Sequence, residues 1–119
     1  MIEISRIPGT NIVLNRIEGP ATAQEIQDAV ARTLTEADES PIIWDVRDAD
    51  FKHYTYEHAK DVDEALDEQY GRMQGQRRAY VVTDELQRQL VVMMVGRQKA
   101  PFPWSVFDDL DEAIAWVSR

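Results

Sequence analysis

Pro41-Ile42-Ile43-Trp44-Asp45-Val46-Arg47-Asp48 is the stretch that sets the fold class. Ile42, Ile43, Trp44 and Val46 stand in near-continuous apolar order, the pattern of a strand covered on both faces. The run ends in charge. A polar loop is expected from Arg47 to Tyr54, and a helix from about Thr55. In an open α/β sheet, ligands and partners meet the chain at the carboxyl end of such a strand. Trp44 is therefore expected in the core, and Asp45 and Asp48 are expected where the sheet meets solvent.

Upstream, residues 2–7 and 11–18 read as two strands joined by Pro8-Gly9-Thr10-Asn11, in which Pro and Gly supply the turn dihedrals. Gly19-Pro20 ends the hairpin. Thr22-Ala23-Gln24-Glu25 is a capping box, and Ile26, Ala29, Val30, Thr33, Leu34 and Ala37 recur on one helical face. A strand, a helix and a strand make a right-handed crossover, so the second and third strands should be parallel.

Downstream, a second helix is expected over 55–73 with Ala59, Val62, Ala65, Leu66, Tyr70 and Met73 inward. Residues 77–83 read as a fourth strand. Asp84 or Thr83 is expected to cap a third helix that carries Leu86, Leu90, Met93 and Met94 and ends at Gly96. Trp104-Ser105-Val106-Phe107 reads as a fifth strand. Asp108 is expected to cap a last helix with Leu110, Ala113, Ile114 and Val117 at helical spacing and Trp116 beside them. The order ββαβαβαβα predicts an α/β fold: a five-stranded mixed sheet, its first strand antiparallel and the rest mainly parallel, with four helices.

With 119 residues the sequence predicts one domain over 1–119. Hydrophobic content of 44% and charged content of 29% are ordinary for a globular chain. The absence of cysteine excludes disulfides and thiolate chemistry and fits a reducing compartment. No apolar run approaches the length of a membrane span, and no secretory signal is apparent. The location expected is the cytoplasm. A net charge of −9 argues against a nucleic-acid partner, which would need a basic face. Residues 36–70 hold twelve acids and three bases, while 71–99 hold six bases and two acids. That split reads either as solvated helix faces of opposite sign or as a polarised surface that pairs the chain with a protein partner, a second copy included.

Catalytic patterns are missing. Ser5, Ser40, Ser105 and Ser118 have no Gly-x-Ser-x-Gly context, and there is no Walker A or Gly-x-Gly-x-x-Gly segment. His58 and Asp61 stand at i, i+3, but without a His-Glu-x-x-His pattern no metal site is predicted. An enzyme would have to work from His53, His58 and Asp61. Neither a cofactor nor a catalytic residue is assigned. Tyr54 with Tyr56, and Phe102 with Trp104, read as the closure of the core or as the lining of an apolar pocket. Met73, Met93 and Met94, adaptable side chains, would join such a pocket.

The third strand with its aspartate, Ile42-Ile43-Trp44-Asp45-Val46-Arg47-Asp48, and the ending Phe107-Asp108-Asp109-Leu110-Asp111-Glu112-Ala113-Ile114-Ala115-Trp116-Val117 resemble the SpoIIAA-like proteins. These belong to the STAS and lipid-binding Sec14-like group of small α/β domains. The resemblance covers the whole chain as topology and implies a non-enzymatic binding or regulatory module. In the anti-sigma-factor antagonists of this fold, a serine at the start of the second helix is phosphorylated within an Asp-Ser-Ser-Gly segment. The matching stretch here is His53-Tyr54-Thr55-Tyr56. Thr55 stands at the hydroxyl position, while the Asp, the first Ser and the Gly are absent. Thr is also favoured at that place simply as a helix N-cap.

The binding surface expected is therefore Asp45, Arg47, Asp48, His53, Tyr54, Thr55 and Tyr56, acting through protein contacts. The alternative is a carrier or sensor of an apolar, lipid-like molecule held by Met93, Met94, Phe102 and Trp104 with the two tyrosines.

Overall fold

The computed structural model describes residues 1–36, 40–51, 60, 77–97 and 102–119. Within them the order is β1 (Ile2–Arg6), β2 (Val13–Gly19), α1 (Ala23–Glu36), β3 (Ile42–Ala49), β4 (Arg78–Val81), α2 (Glu85–Arg97), β5 (Trp104–Phe107) and α3 (Leu110–Val117). The five strands lie side by side in chain order. β1 is antiparallel to β2, and β2 to β5 are all parallel. The mixed α/β sheet is thus the one expected. Three helices stand among the described residues, not four, and the helix expected over 55–73 lies outside them except for Lys60, which is helical.

Local chemistry explains the first elements. In the turn Ile7-Pro8-Gly9-Thr10, the Thr10 N–H donates to the Ile7 carbonyl at 3.1 Å and Gly9 takes φ +77°. This is a type II turn, which favours Pro at its second position and needs positive φ at its third. The capping box forms as predicted. The Glu25 N–H donates to the Thr22 hydroxyl at 3.1 Å, and the Thr22 N–H donates to Glu25 Oε1 at 3.3 Å.

A sheet that adds parallel strands in one direction through right-handed crossovers carries its connecting helices on one face. Accordingly, Ile26, Ala29 and Val30 of α1 and Val91 and Val95 of α2 share one core with Val13, Ile17, Ile42, Trp44 and Val46. The helix α3 does not connect two strands of this sheet, and it covers the opposite face. Its Ala113 and Val117 pack on Ile12, Ile43, Ala79 and Val81. β3 is the middle strand, and Ile42 to Val46 are buried without interruption. One buried polar link joins sheet and helix: the Asn15 amide donates to the Thr33 hydroxyl at 3.0 Å, which donates to the Ala29 carbonyl at 2.7 Å.

Three expectations are corrected. First, β3 continues through Ala49, so Arg47 and Asp48 are strand residues and do not open a loop. The register shifts there, with β3 advancing three residues from Asp45 to Asp48 against two on β2 from Arg16 to Glu18, so that Glu18 faces Asp48 and Gly19 faces Ala49. Second, the cap of α3 is Asp109, whose carboxylate accepts the Asp111 and Glu112 N–H groups at 2.7 and 3.3 Å, and not Asp108. Third, α2 buries Gln87, Val91 and Val95, while Leu86 and Met93 are exposed. The run Leu90 to Val95 is apolar all round, so its periodicity selects no face and packing makes the choice.

Gln87 is the strut between α2 and the end of β3. Its side-chain oxygen accepts the Thr83 N–H at 2.8 Å, and its amide donates to the Arg47 and Ala49 carbonyls at 3.3 and 3.4 Å. Its own N–H is held by the Asp84 cap at 2.8 Å. Replacing it leaves partly buried backbone groups without a partner at both ends. Gln87→Ala is expected to lower stability by about 2 kcal/mol, measured as a shift in the urea midpoint with an unchanged slope.

Candidate functional site

The site is built at the carboxyl end of β3. Asp45 and Arg47 are two residues apart on one strand, so both point to the face that carries α3. Parallel pairing of β2 with β3 places Arg16 opposite Asp45. The Asp45 carboxylate is 1% exposed, which corrects its expected place at the solvent margin. It is enclosed because two arginines close over it. Arg47 grips it as a fork, with Nε to Oδ1 at 3.0 Å and Nη2 to Oδ2 at 2.9 Å, and the Arg47 backbone N–H adds a third bond to Oδ1 at 3.2 Å. Arg16 Nε lies 3.5 Å from Oδ2, an ionic contact without hydrogen-bond geometry.

The charge states follow from these contacts. Burial alone pushes the Asp45 carboxyl up, but the side-chain and backbone hydrogen bonds from Arg47, with the charges of Arg47 and Arg16, outweigh it. The net effect is a pKa below the ordinary aspartate value. Arg47 is held charged by its hydrogen bond to Asp45 against its own partial burial, with further support from the charges of Asp45, Asp48 and Asp109. Asp48 is exposed beside this cluster.

Of the expected binding surface, Asp45, Arg47 and Asp48 come together, whereas His53, Tyr54, Thr55 and Tyr56 lie outside the described residues, as do His58, Asp61 and Met73. Among the described residues, no group of three or more histidines and acids is placed to hold a metal ion. No described helix is long and apolar enough to cross a membrane.

The expected apolar set divides. Phe102 is buried, and Met94 and Trp104 pack against the same core on the α1–α2 face, but Met93 is 40% exposed and lies apart from them. Two residues that the sequence reading passed over complete this flank. Arg78 is buried with its guanidinium 4.6 Å from the centre of the Phe102 ring. Tyr80 meets Trp104 edge to face at 6.5 Å. Burial pushes the Tyr80 phenol up to about 12, against the opposing charge of Arg78.

Arg16 and Gln87 were also passed over. One signal pointed toward Arg16: an aspartate inside an apolar strand demands a cation. Only the register says which one. Gln87 carried no signal, because its role depends on where α2 sits.

Two measurements check this electrostatics. Arg47→Ala leaves the buried Asp45 carboxylate short of its main partner and is expected to cost about 2 kcal/mol, discounted for the partial exposure of the guanidinium. Because the folded pKa of Asp45 is depressed, its contribution is present above the unfolded aspartate value. It is lost as pH falls through the lower folded value. Urea midpoints should therefore drop over that acid window in the native chain and drop less in Asp45→Asn. Separately, ultraviolet titration should show one tyrosine ionising near 12, and Tyr80→Phe should remove that component.

Comparison with solved structures shows a likeness over nearly the whole chain. An uncharacterised protein from the DUF3478 family with a SpoIIAA-like fold, from Shewanella loihica PV-4, superposes with a TM-score of 0.65 and 19% identity, covering 98% of this chain and 92% of that one. No family model and no curated protein matches the sequence. At that identity the likeness speaks for architecture, and the architecture of this chain is SpoIIAA-like.

Proposed function

We propose that this chain is a non-enzymatic, STAS-like binding module that works through protein contacts at the carboxyl end of β3. The observation that carries this reading is the fixed Asp45–Arg47 fork, braced from behind by Gln87, with Arg47 partly exposed and Asp48 exposed beside it. Such a platform needs little ordering when a partner arrives, which favours recognition. The edge is also the one where open α/β sheets meet their ligands. The SpoIIAA-like fold supports the same class of function. A second copy of this chain is one partner to consider, given the acidic balance of 36–70 and the basic balance of 71–99.

A second reading, a carrier of an apolar ligand, draws on Met94, Phe102, Trp104 and Tyr80 gathering on the α1–α2 face. In that case native mass spectrometry of protein taken from cells would show a co-purifying apolar mass.

The main reading is tested by capture from the native host with tagged wild-type and Asp48→Lys chains, including untagged copies of the chain itself. Asp48 is exposed, so the reversal should leave circular dichroism unchanged. The expected result is a loss of capture of about ten-fold, equivalent to ~1.4 kcal/mol. Equal capture by both chains would move the contact surface away from this edge.

A further inference from the structure

An aspartate in the middle of a strand buried on both faces is a costly choice. Continuum and mutational comparisons place buried ion pairs at or below the stability of apolar residues of equal volume. Asp45 is the only charged residue in the run Ile42 to Val46, and its whole acceptor capacity is turned toward two arginines. The arrangement therefore does something for the arginines. Arg47 spends Nε and Nη2 on Asp45. Arg16 makes an ionic contact with Asp45, and its Nε finds no hydrogen-bond acceptor among the described residues. Both side chains keep about a third of their surface in solvent, 38% for Arg16 and 34% for Arg47. Two guanidinium groups that share one carboxylate oxygen are necessarily close neighbours. Arg47 Nη1 is not used in the fork, and about a third of each arginine side chain is open to solvent above a fixed base.

We infer that Arg16 and Arg47, anchored on the buried Asp45, form a recognition site for an oxyanion, a phosphate or a carboxylate. Guanidinium forks fit both groups, and their pre-organisation leaves little entropy to lose on binding. Asp45 is the positioning residue, and the two arginines are the contacts. The acids nearby set the character of the site. Asp109 is engaged at the α3 cap through the Asp111 and Glu112 N–H groups, and Asp48 is exposed beside Arg47. With a chain charge of −9, long-range steering does not favour an anion. Recognition rests on short-range hydrogen bonds, and affinity for a free ion is expected to be weak, in the millimolar range.

This inference rests on the reading above only in placing the contact edge at the end of β3, and it is tested without any partner. Inorganic phosphate and, separately, acetate are titrated into the isotope-labelled full chain at constant ionic strength, following the Arg16 and Arg47 Nε–H signals and the neighbouring backbone amides. Saturable shifts with either ion support the site, and the ion that saturates identifies the source of the oxyanion. Arg16→Gln should weaken binding about ten-fold, a loss of ~1.4 kcal/mol. Arg16→Lys, which keeps the charge but not the fork, should lose most of the effect. Arg88→Gln, which alters an arginine on α2, should change nothing. Shifts that grow linearly without saturating, or binding undiminished in Arg16→Gln, would overturn the site. Either result would leave the capture test of the docking edge standing.

Discussion

A carboxylate buried between a sheet and a helix is tolerated only when its charge is met at close range, and in this chain the partner comes from the same strand. Asp45 and Arg47 lie two residues apart, so the pleat that buries the acid also aims the base at it. The fork fixes the direction in which β3 leaves the core. The strand runs on to Ala49 as an ordered edge, flanked by β2 through Gly19 and tied to α2 through Gln87. The central strand is thus both the deepest element of the fold and the one that delivers charge to its rim.

The two faces of the sheet divide the work. The face under α1 and α2 holds the larger apolar core and a semi-polar flank, where Arg78, Tyr80, Phe102 and Trp104 meet. The face under α3 holds a smaller core at one end and the Asp45 cluster at the other. Anchorage of α3 follows the same division. Asp109 caps its start near Arg47. At its far end the Arg77 guanidinium donates to the Trp116 carbonyl at 2.8 Å and stacks 5.2 Å from the centre of the Trp116 ring. A cation at a helix carboxyl end and an acid at its start both act with the helix dipole.

Much of the architecture was legible because it rests on local chemistry. Pro8-Gly9 dictates its turn, Thr22 and Glu25 dictate a helix start, and the unbroken apolar run of β3 dictates a strand covered on both sides. Legibility failed where local chemistry is degenerate. Asp108 and Asp109 are equally good caps on paper, and only the observed backbone, extended at Asp109, decides between them. The α2 run is apolar on every side, so its buried face, Gln87, Val91 and Val95, could not be read from spacing.

By itself, the sequence determined a five-stranded mixed α/β sheet, its hairpin, its first crossover and the position of a charged edge at the end of β3, while the side-by-side order of the strands came from the structure. It did so because turns, caps and apolar periodicity act over a few residues. Only the tertiary structure decided that Asp45 is buried, that Arg16 joins it from the neighbouring strand, and that Gln87 braces the edge from α2. Those contacts depend on register and packing between residues distant in the chain, about 30 positions apart for Arg16 and Asp45 and 40 for Arg47 and Gln87. No short-range pattern in a sequence encodes which of many arginines or glutamines will arrive there.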